Sequence, residues 1–351
     1  MSDSFTLRMT PQRFWEVIAQ CDGNYTQAAS TLGCHRNTVH RYVKEWATEK
    51  NDKPVLEDLP EGDFTAEEII EMACKKFERL DRRERAKRWR TIKMPDNKPF
   101  ALAFMGDPHI DNPGCNWPLL RDHLELFRND GIYCVNIGDT TDNWIGRLMR
   151  LYAQSSITKQ QSYKLIEWLV LDSGVDWLIW LIGNHDAWGD GAAILKAMVN
   201  KPRRILVEDW GAQFQLECPN KEFFRIWATH NFPGSSIWNT LHGPQRAAHT
   251  KAEADVYVCG HFHNWGLHQE ESASRSFTYW LARARGYKWY DDHAHVLGHE
   301  PQQEGATILA VFDPNSENQS SRVTCWADPF AGADYLEFLR AKHAKEGEKK
   351  S

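Results

Sequence analysis

Five apolar runs in this chain of 351 residues end in side chains that bind metals or move protons. The run from Phe100 to Met105 leads into Gly106, Asp107, Pro108 and His109. The run from Tyr133 to Ile137 leads into Gly138 and Asp139, and that from Trp177 to Ile182 into Gly183, Asn184, His185 and Asp186. The run from Phe224 to Thr229 stops at His230, and that from Asp255 to Cys259 leads into Gly260, His261, Phe262 and His263. Asp107, His109, Asp139, Asn184, His230, His261 and His263 offer imidazoles, carboxylates and an amide oxygen, a mixture suited to borderline divalent ions such as Mn, Fe, Zn, Co or Ni. A carboxylate has two oxygens and can bridge two ions. Two ions about 3.5–4 Å apart can share a hydroxide and clamp a phosphate. Glycines before Asp107, Asp139, Asn184 and His261 permit the sharp turns that aim ligands into one cleft. His242 and His249 compete with His230 for the fourth block, but His230 ends an apolar run and they do not.

Taken alone, each block has an ordinary reading: Gly-Asp is a common turn, and a single histidine is commonly a satisfied core residue. The ordered set, D-x-H, G-D, G-N-H-D, H and G-H-x-H, resembles the calcineurin-like metallophosphoesterases over roughly residues 100–330. That resemblance implies an α/β fold, a four-layer αββα sandwich with two metals at the sheet rim. It implies that Asp107, His109 and His263 hold one ion, that Asn184, His230 and His261 hold the other, and that Asp139 bridges them. It further implies that His185 faces the substrate and stabilises or protonates the leaving oxygen, with Asp186 orienting His185. The expected cofactor is a pair of divalent ions, manganese first, with Fe, Zn, Co, Ni or Mg as alternatives. The expected reaction is attack of a metal-bridging hydroxide on phosphorus.

The elements that must position these residues follow from the texture of the chain. Strand-like runs alternating with helical stretches from Phe100 onward favour an α/β domain, and in open α/β sheets sites form at the carboxyl ends of strands. Further runs at 276–282, 306–312 and 322–326 read as strands completing a second sheet. The expected divisions are residues 1–50, a helix-turn-helix module; 51–99, a charged linker with a basic helix; 100–335, the phosphoesterase domain; and 336–351, a charged tail.

In the first of these, helices are expected over about 11–20 and 26–32, with a third opened by Arg36 or Asn37 after a turn at Gly33. Phe14, Val17, Ile18, Ala28, Ala29, Val39 and Val43 point inward. This segment resembles the helix-turn-helix of small Fis-like and resolvase-like DNA-binding modules. The resemblance implies DNA contacts by His35, Arg36, Asn37, His40, Arg41 and Lys44; a purely structural three-helix module is the competing reading. Residues 65–90 carry apolar side chains at helical spacing, and their second half is basic, from Lys75 to Arg90. That half reads as a nucleic-acid contact or as a solvated helix with internal ion pairs.

Other polar and aromatic residues lie near the motifs. Asn143 reads as a helix cap or a phosphate contact, and Arg147 and Arg150 as a solvated helix face. Arg283 and Arg285 suit a polyanion if they reach the cleft. Trp117, Trp144, Trp188 and Trp265 each follow a motif and either stack on bases or pack loops.

The eight cysteines form no C-x-x-C pair, which argues against a thiolate zinc site. There is no apolar stretch of membrane-spanning length and no signal-like start, so a cytoplasmic protein without a membrane partner is expected, and the joining of a phosphoesterase to a helix-turn-helix suits a bacterial or phage genome. A net charge of −6 is unlike that of a protein coated in nucleic acid. The leading expectation is a phosphodiesterase or nuclease acting on DNA. The alternatives are a phosphoesterase of nucleotides or phosphoproteins with a regulatory N-terminal module, and a DNA-binding regulator whose metal domain is structural.

Overall fold

A computed structural model describes residues 9–47, 63–200, 205–250, 253–272, 277–290 and 304–348. The chain divides into two compact units, residues 1–74 and 75–351. In the first unit, α1 (Pro11–Gln20), α2 (Tyr25–Thr31) and α3 (Arg36–Ala47) follow one another closely. Thr10 caps α1 ahead of Pro11, and Asn24 caps α2 through its side-chain oxygen, the polar N-cap arrangement that satisfies otherwise orphaned amides. Phe14, Val17, Ile18, Ala28, Ala29, Val39 and Tyr42 close a small core. Tyr42 is the buried residue of the last turns, with Val43 only half-buried beside it. A further helix, α4 (Ala66–Lys87), runs across the division between the units and buries none of its side chains.

The second unit is α/β and contains two mixed six-stranded sheets. One holds β2 (Phe100–Met105), β3 (Ile132–Asn136), β4 (Trp177–Ile182) and β5 (Leu206–Asp209), joined by β11 (Thr307–Phe312) and β12 (Val323–Trp326), in the order β12-β11-β2-β3-β4-β5. The other holds β1 (Arg90–Lys93), β6 (Gly211–Glu217), β7 (Phe223–Thr229), β8 (Val256–Cys259), β9 (Gly266–Ser272) and β10 (Phe277–Arg283), in the order β1-β6-β7-β8-β10-β9.

The strand period of two sorts their side chains between two cores. Phe100, Leu102 and Phe104 of β2 meet Phe214, Phe224, Ile226 and Val256 between the sheets. Ala101, Ala103 and Met105 face the opposite way, into a core with Leu120 and Leu124 of α5 (Trp117–Leu126) and Ile166 and Leu169 of α6 (Lys159–Leu171). On the outer face of the other sheet, Tyr257, Cys259 and Leu281 pack with Ala247 and Ala248 of α8 (His242–Thr250). Between α6 and α8 in the chain lies α7 (Gly191–Val199).

Two boundaries and one sheet assignment differ from the sequence expectation. The α/β unit takes in β1, which pairs in parallel with β6, and Met94 is buried in the inter-sheet core, so the unit begins before residue 100. Of the three late strands, only β10 joins the second sheet. β11 pairs antiparallel with β2 and carries β12, so both extend the first sheet. The expected tail at 336–351 is, where described, part of the C-terminal helix Pro329–Glu348, whose Leu336 and Leu339 are buried. Burial of those leucines offsets the charge that made the segment read as a tail.

Candidate metal centre

Strand direction assembles this site. β2, β3 and β4 run parallel, so their carboxyl ends lie along one edge. β7 and β8 are likewise parallel to each other. Asp107 and His109 follow β2, Asp139 follows β3, Asn184 follows β4, His230 follows β7, and His261 and His263 follow β8. Asp107, His109 and His263 bring ligand atoms within 4.8 Å of one another, as do Asp139, His230 and His261. The Asn184 side-chain amide lies 2.8 Å from His230 Nε2. The two groups touch: His109 Nε2 is 3.9 Å from Asp139 Oδ2, and His230 Nδ1 is 3.5 Å from Asp107 Oδ1. All seven expected ligands thus form one cluster. His242 and His249, the competitors of His230, lie on α8 instead.

The backbone is bent to make this possible. His109, Asp139, His261 and His263 all adopt left-handed φ values, between 41° and 74°. Such strain in non-glycine residues persists only where surrounding structure holds it. Two glycines clear the space: a Cβ on Gly260 would stand 2.2 Å from Asp107 Oδ2, and one on Gly183 2.2 Å from Asp139 Oδ1. Asp107, His109, Asp139 and His230 are buried, while Asn184, His261 and His263 are half-buried and form the more open side.

The donor set fits a cation. The Asp107 Oδ1 and His109 Nε2 atoms are buried without hydrogen-bond partners. His109 Nδ1 is 2.8 Å from Asp142 Oδ1; donation to that carboxylate leaves the Nε2 lone pair pointing into the cluster. His230 Nδ1 donates to Ile137 O at 3.1 Å, which turns Nε2 toward the Asn184 amide and Asp139 Oδ2. Without a metal, a proton serves on that nitrogen. Burial disfavours the charge, but the Asp139 hydrogen bond and the Asp139, Asp107 and Asp186 charges raise His230 to about 9. Burial raises Asp107 to about 6. Asp139 moves the other way, held low against its burial by the hydrogen bond and charge of His230. Converging lone pairs, one proton and two carboxylates are a donor set that a divalent ion can enter by replacing the proton, the usual exchange when metals bind imidazole and carboxylate.

Around this cluster several residues do work that sequence spacing did not reveal. Asp142 binds His109 Nδ1, accepts from Asn112 Nδ2 at 2.6 Å, and offers its backbone carbonyl to His185 Nδ1 at 2.7 Å. It also forms a group with His109 and His185 compact enough for a metal. The hydrogen bonds and charge of His109 hold Asp142 at about 2 although burial opposes this. Its position three residues after Asp139 was the available signal.

Asp186 does not reach the His185 ring as expected. Its two oxygens accept from Thr140 N and Gly183 N, both at 3.0 Å, and so tie the loops after β3 and β4 together. Burial raises its carboxyl to about 7. Asn143, read as a cap or phosphate contact, instead donates to the carbonyls of His185 and Trp188.

Arg283 and Arg285 are buried and point their guanidinium groups at protein. Arg283 donates to Gly260 O at 2.7 Å and Thr240 O at 2.9 Å and lies over the Phe262 ring, while Arg285 lies over Trp289. Trp144 and Trp188 pack against His185, with ring centroids 5.1 and 4.2 Å away. Trp117 donates to Ile110 O. Arg147 and Arg150 are exposed on the 3-10 helix Gly146–Gln154.

In the N-terminal unit, His35, Arg36, Asn37, His40, Arg41 and Lys44 are all exposed on or beside α3. His35 Nδ1 accepts from Asn37 N at 3.2 Å and so caps that helix. The His40 ring packs edge-on to Tyr25, and Arg41 lies over Tyr42.

No protein-family model matches this chain, and no curated protein matches its sequence. No helix of the described residues is long and apolar enough to cross a membrane.

Proposed function

We propose that the α/β unit is a two-metal phosphoesterase of the calcineurin-like kind, and that its substrate is a DNA phosphodiester. The observation that carries the reading is the convergence of seven oxygen and nitrogen donors, from the carboxyl ends of five strands, on one cluster buried on one side and open on the other. Asp107, His109 and His263 would hold one ion, and Asn184, His230 and His261 the other, with Asp139 between them. Manganese is the expected metal. When bound, the ion pair lowers the pKa of a water and neutralises charge on the phosphoryl oxygens.

The protein's own residues do the rest. Asp142 fixes the His109 ring through Nδ1, so that Nε2 is presented as a donor atom. Its backbone carbonyl fixes His185 in the same way, leaving His185 Nε2 as the ring atom available to the leaving oxygen. Trp144 and Trp188 pack on that ring and restrict its rotation. Asp186 and Asn143 hold the loops after β3 and β4 in register.

The choice of DNA is supported by the three-helix unit, whose α3 exposes Arg36, Asn37, His40, Arg41 and Lys44. Arginine and asparagine are suited to reading base edges. The test is digestion of labelled single- and double-stranded DNA with Mn²⁺, beside an Asp139→Asn control. Cleavage by the wild type alone supports a metal-dependent nuclease. Intact DNA under conditions where a chromogenic phosphoester is hydrolysed redirects the reading to nucleotides or phosphoproteins, and loss of neither substrate overturns it.

A further inference from the structure

An exposed tryptophan stands beside the candidate metal centre. Trp210 follows β5 in a left-handed conformation, φ 61°, which a bulky residue adopts only where its surroundings hold it. The holding groups come from two ligand-bearing strands. Its N–H donates to Ile182 O at 3.1 Å, at the end of β4. Its carbonyl accepts from His230 N at 2.6 Å and from Thr229 Oγ1 at 2.7 Å, at the end of β7. The backbone is thus fixed, yet the residue is 51% exposed and belongs to none of the hydrophobic cores. Its ring centroid lies 6.0 Å from that of His230. Core packing does not account for a ring left in water at this place.

Trp210 lines a cavity of about 470 Å³ together with Lys87, Arg88 and Arg90. Trp89 makes that arrangement. It turns the chain from α4 into β1 with φ 53° and packs against the core beneath α8, leaving Arg88 and Arg90 exposed on either side. The acidic residues of the cavity are already engaged. Glu84 and Glu208 pair with Lys87 at 2.9 and 3.0 Å, and Asp209 pairs with Lys196 at 2.6 Å. The Arg88 side chain has no partner among the described residues. A second cavity, of about 570 Å³, shares Arg90 and Glu208 with the first and adds Arg83. The two make one groove, both parts of which carry arginine.

Guanidinium groups along a groove and an aromatic face beside it match an unpaired polynucleotide, whose phosphates meet the cations while a base stacks on the ring. A base inside a duplex is stacked on both faces and offers none to the ring. We propose that this groove binds single-stranded DNA, with a base on Trp210 and the neighbouring phosphates at Arg88 and Arg90, and so leads the strand to the metal centre. Delivery to that centre rests on the phosphoesterase reading; binding in the groove does not.

Fluorescence anisotropy of a phosphorothioate-linked oligothymidylate with the full chain in Mn²⁺ tests this, since the probe resists cleavage and reports binding alone. The wild type is expected to bind. Trp210→Ala is expected to weaken binding at least about tenfold, equivalent to about 1.4 kcal/mol, and Trp210→Phe to keep most of the affinity, because it keeps an aromatic face. Arg88→Gln is expected to weaken binding and to lower the slope of log affinity against log salt by about 0.7, the loss of one phosphate contact on a single strand. Trp210→Ala should leave that slope unchanged. Absence of binding, or binding indifferent to Trp210→Ala, overturns the stacking, and an unchanged slope in Arg88→Gln overturns the phosphate path. A duplex whose affinity falls as much with Trp210→Ala overturns the choice of an unpaired strand, and tighter binding of oligouridylate overturns the choice of DNA. Digestion of the ordinary oligonucleotide in the same buffer separates the two readings. Binding without cleavage sinks the phosphoesterase reading alone, and hydrolysis of a chromogenic phosphoester without oligonucleotide binding sinks the groove alone.

Discussion

The donor atoms of the candidate site are few, and their partners are already chosen. His109 and His230 each engage Nδ1, with Asp142 and with the Ile137 carbonyl, and so turn Nε2 into the cluster. Partners of this kind set a ligand's tautomer and basicity, and losing one typically costs about 10–100-fold in metal affinity. Asp142→Asn should therefore weaken Mn²⁺ binding by about that factor while leaving the fold intact, as calorimetric titration beside far-UV circular dichroism would reveal. Unchanged affinity would remove Asp142 from the site. His185→Asn should leave metal affinity close to wild type and lower kcat on a phosphodiester with a poor leaving group by about 10²–10⁴-fold, the range for a lost general acid. A much smaller loss with an activated leaving group would locate the defect in proton delivery.

At the scale of elements, parallel strands and tight loops decide what can meet. The carboxyl ends of β2, β3 and β4 share an edge, and the loops beyond them are held by side chains reaching across 46 and 42 residues, Asp186 to Thr140 and Asn143 to His185. The loop after β8 runs so close to the Asp107 carboxylate that it leaves no room for a methyl group at Gly260. Gly260→Ala would press its Cβ against Asp107 Oδ2. It should abolish tight Mn²⁺ binding and also lower the melting temperature, because the oxygen it displaces is the one that accepts from His261 N at 2.8 Å. A Gly260→Ala protein with wild-type affinity would show that the loop yields. Arg283 belongs to the same scale: its guanidinium holds the Gly260 and Thr240 carbonyls, so it braces the loops beside the ligands and does not present itself to a polyanion.

For the molecule as a whole, two linkages connect charge to stability. Metal that binds only the folded state stabilises it by about 2.7 kcal/mol at a hundredfold excess over the dissociation constant. Thermal unfolding should therefore rise with Mn²⁺ and fall with chelator, and an Asp139→Asn protein should lose most of this response.

The second linkage is His123, buried on α5 against the Tyr287 hydroxyl at 2.8 Å. Burial lowers this ring from 6.5 to about 4, with Asp122 and Asp328 only partly opposing. The fold favours the neutral ring, so its contribution is complete above pH 6.5 and is lost as pH falls toward 4. The shift corresponds to about 3 kcal/mol. The stability of the wild type minus that of His123→Gln, followed by denaturant titration, should shrink across that window. A pH-independent difference would mean that the ring is not buried neutral.

The amino-acid sequence by itself determined the order of the donor blocks, their attachment to strand ends and the three helices of the N-terminal unit. These are local properties: apolar runs of period two, caps such as Thr10 and Asn24, and turns at glycine lie within a few residues of one another. Tertiary structure decided the rest. β11 and β12 had the same local texture whichever sheet they joined, and only pairing with β2 assigned them. Asp186 looked like a partner for its neighbour His185, yet its oxygens were claimed by Thr140 and Gly183. Asp142 and Arg283 acquired their roles from residues 33 and 23 positions away. Spacing along a chain sets which groups a segment carries. Which of them share a proton, a carbonyl or a buried face depends on contacts that form only when distant strands lie side by side.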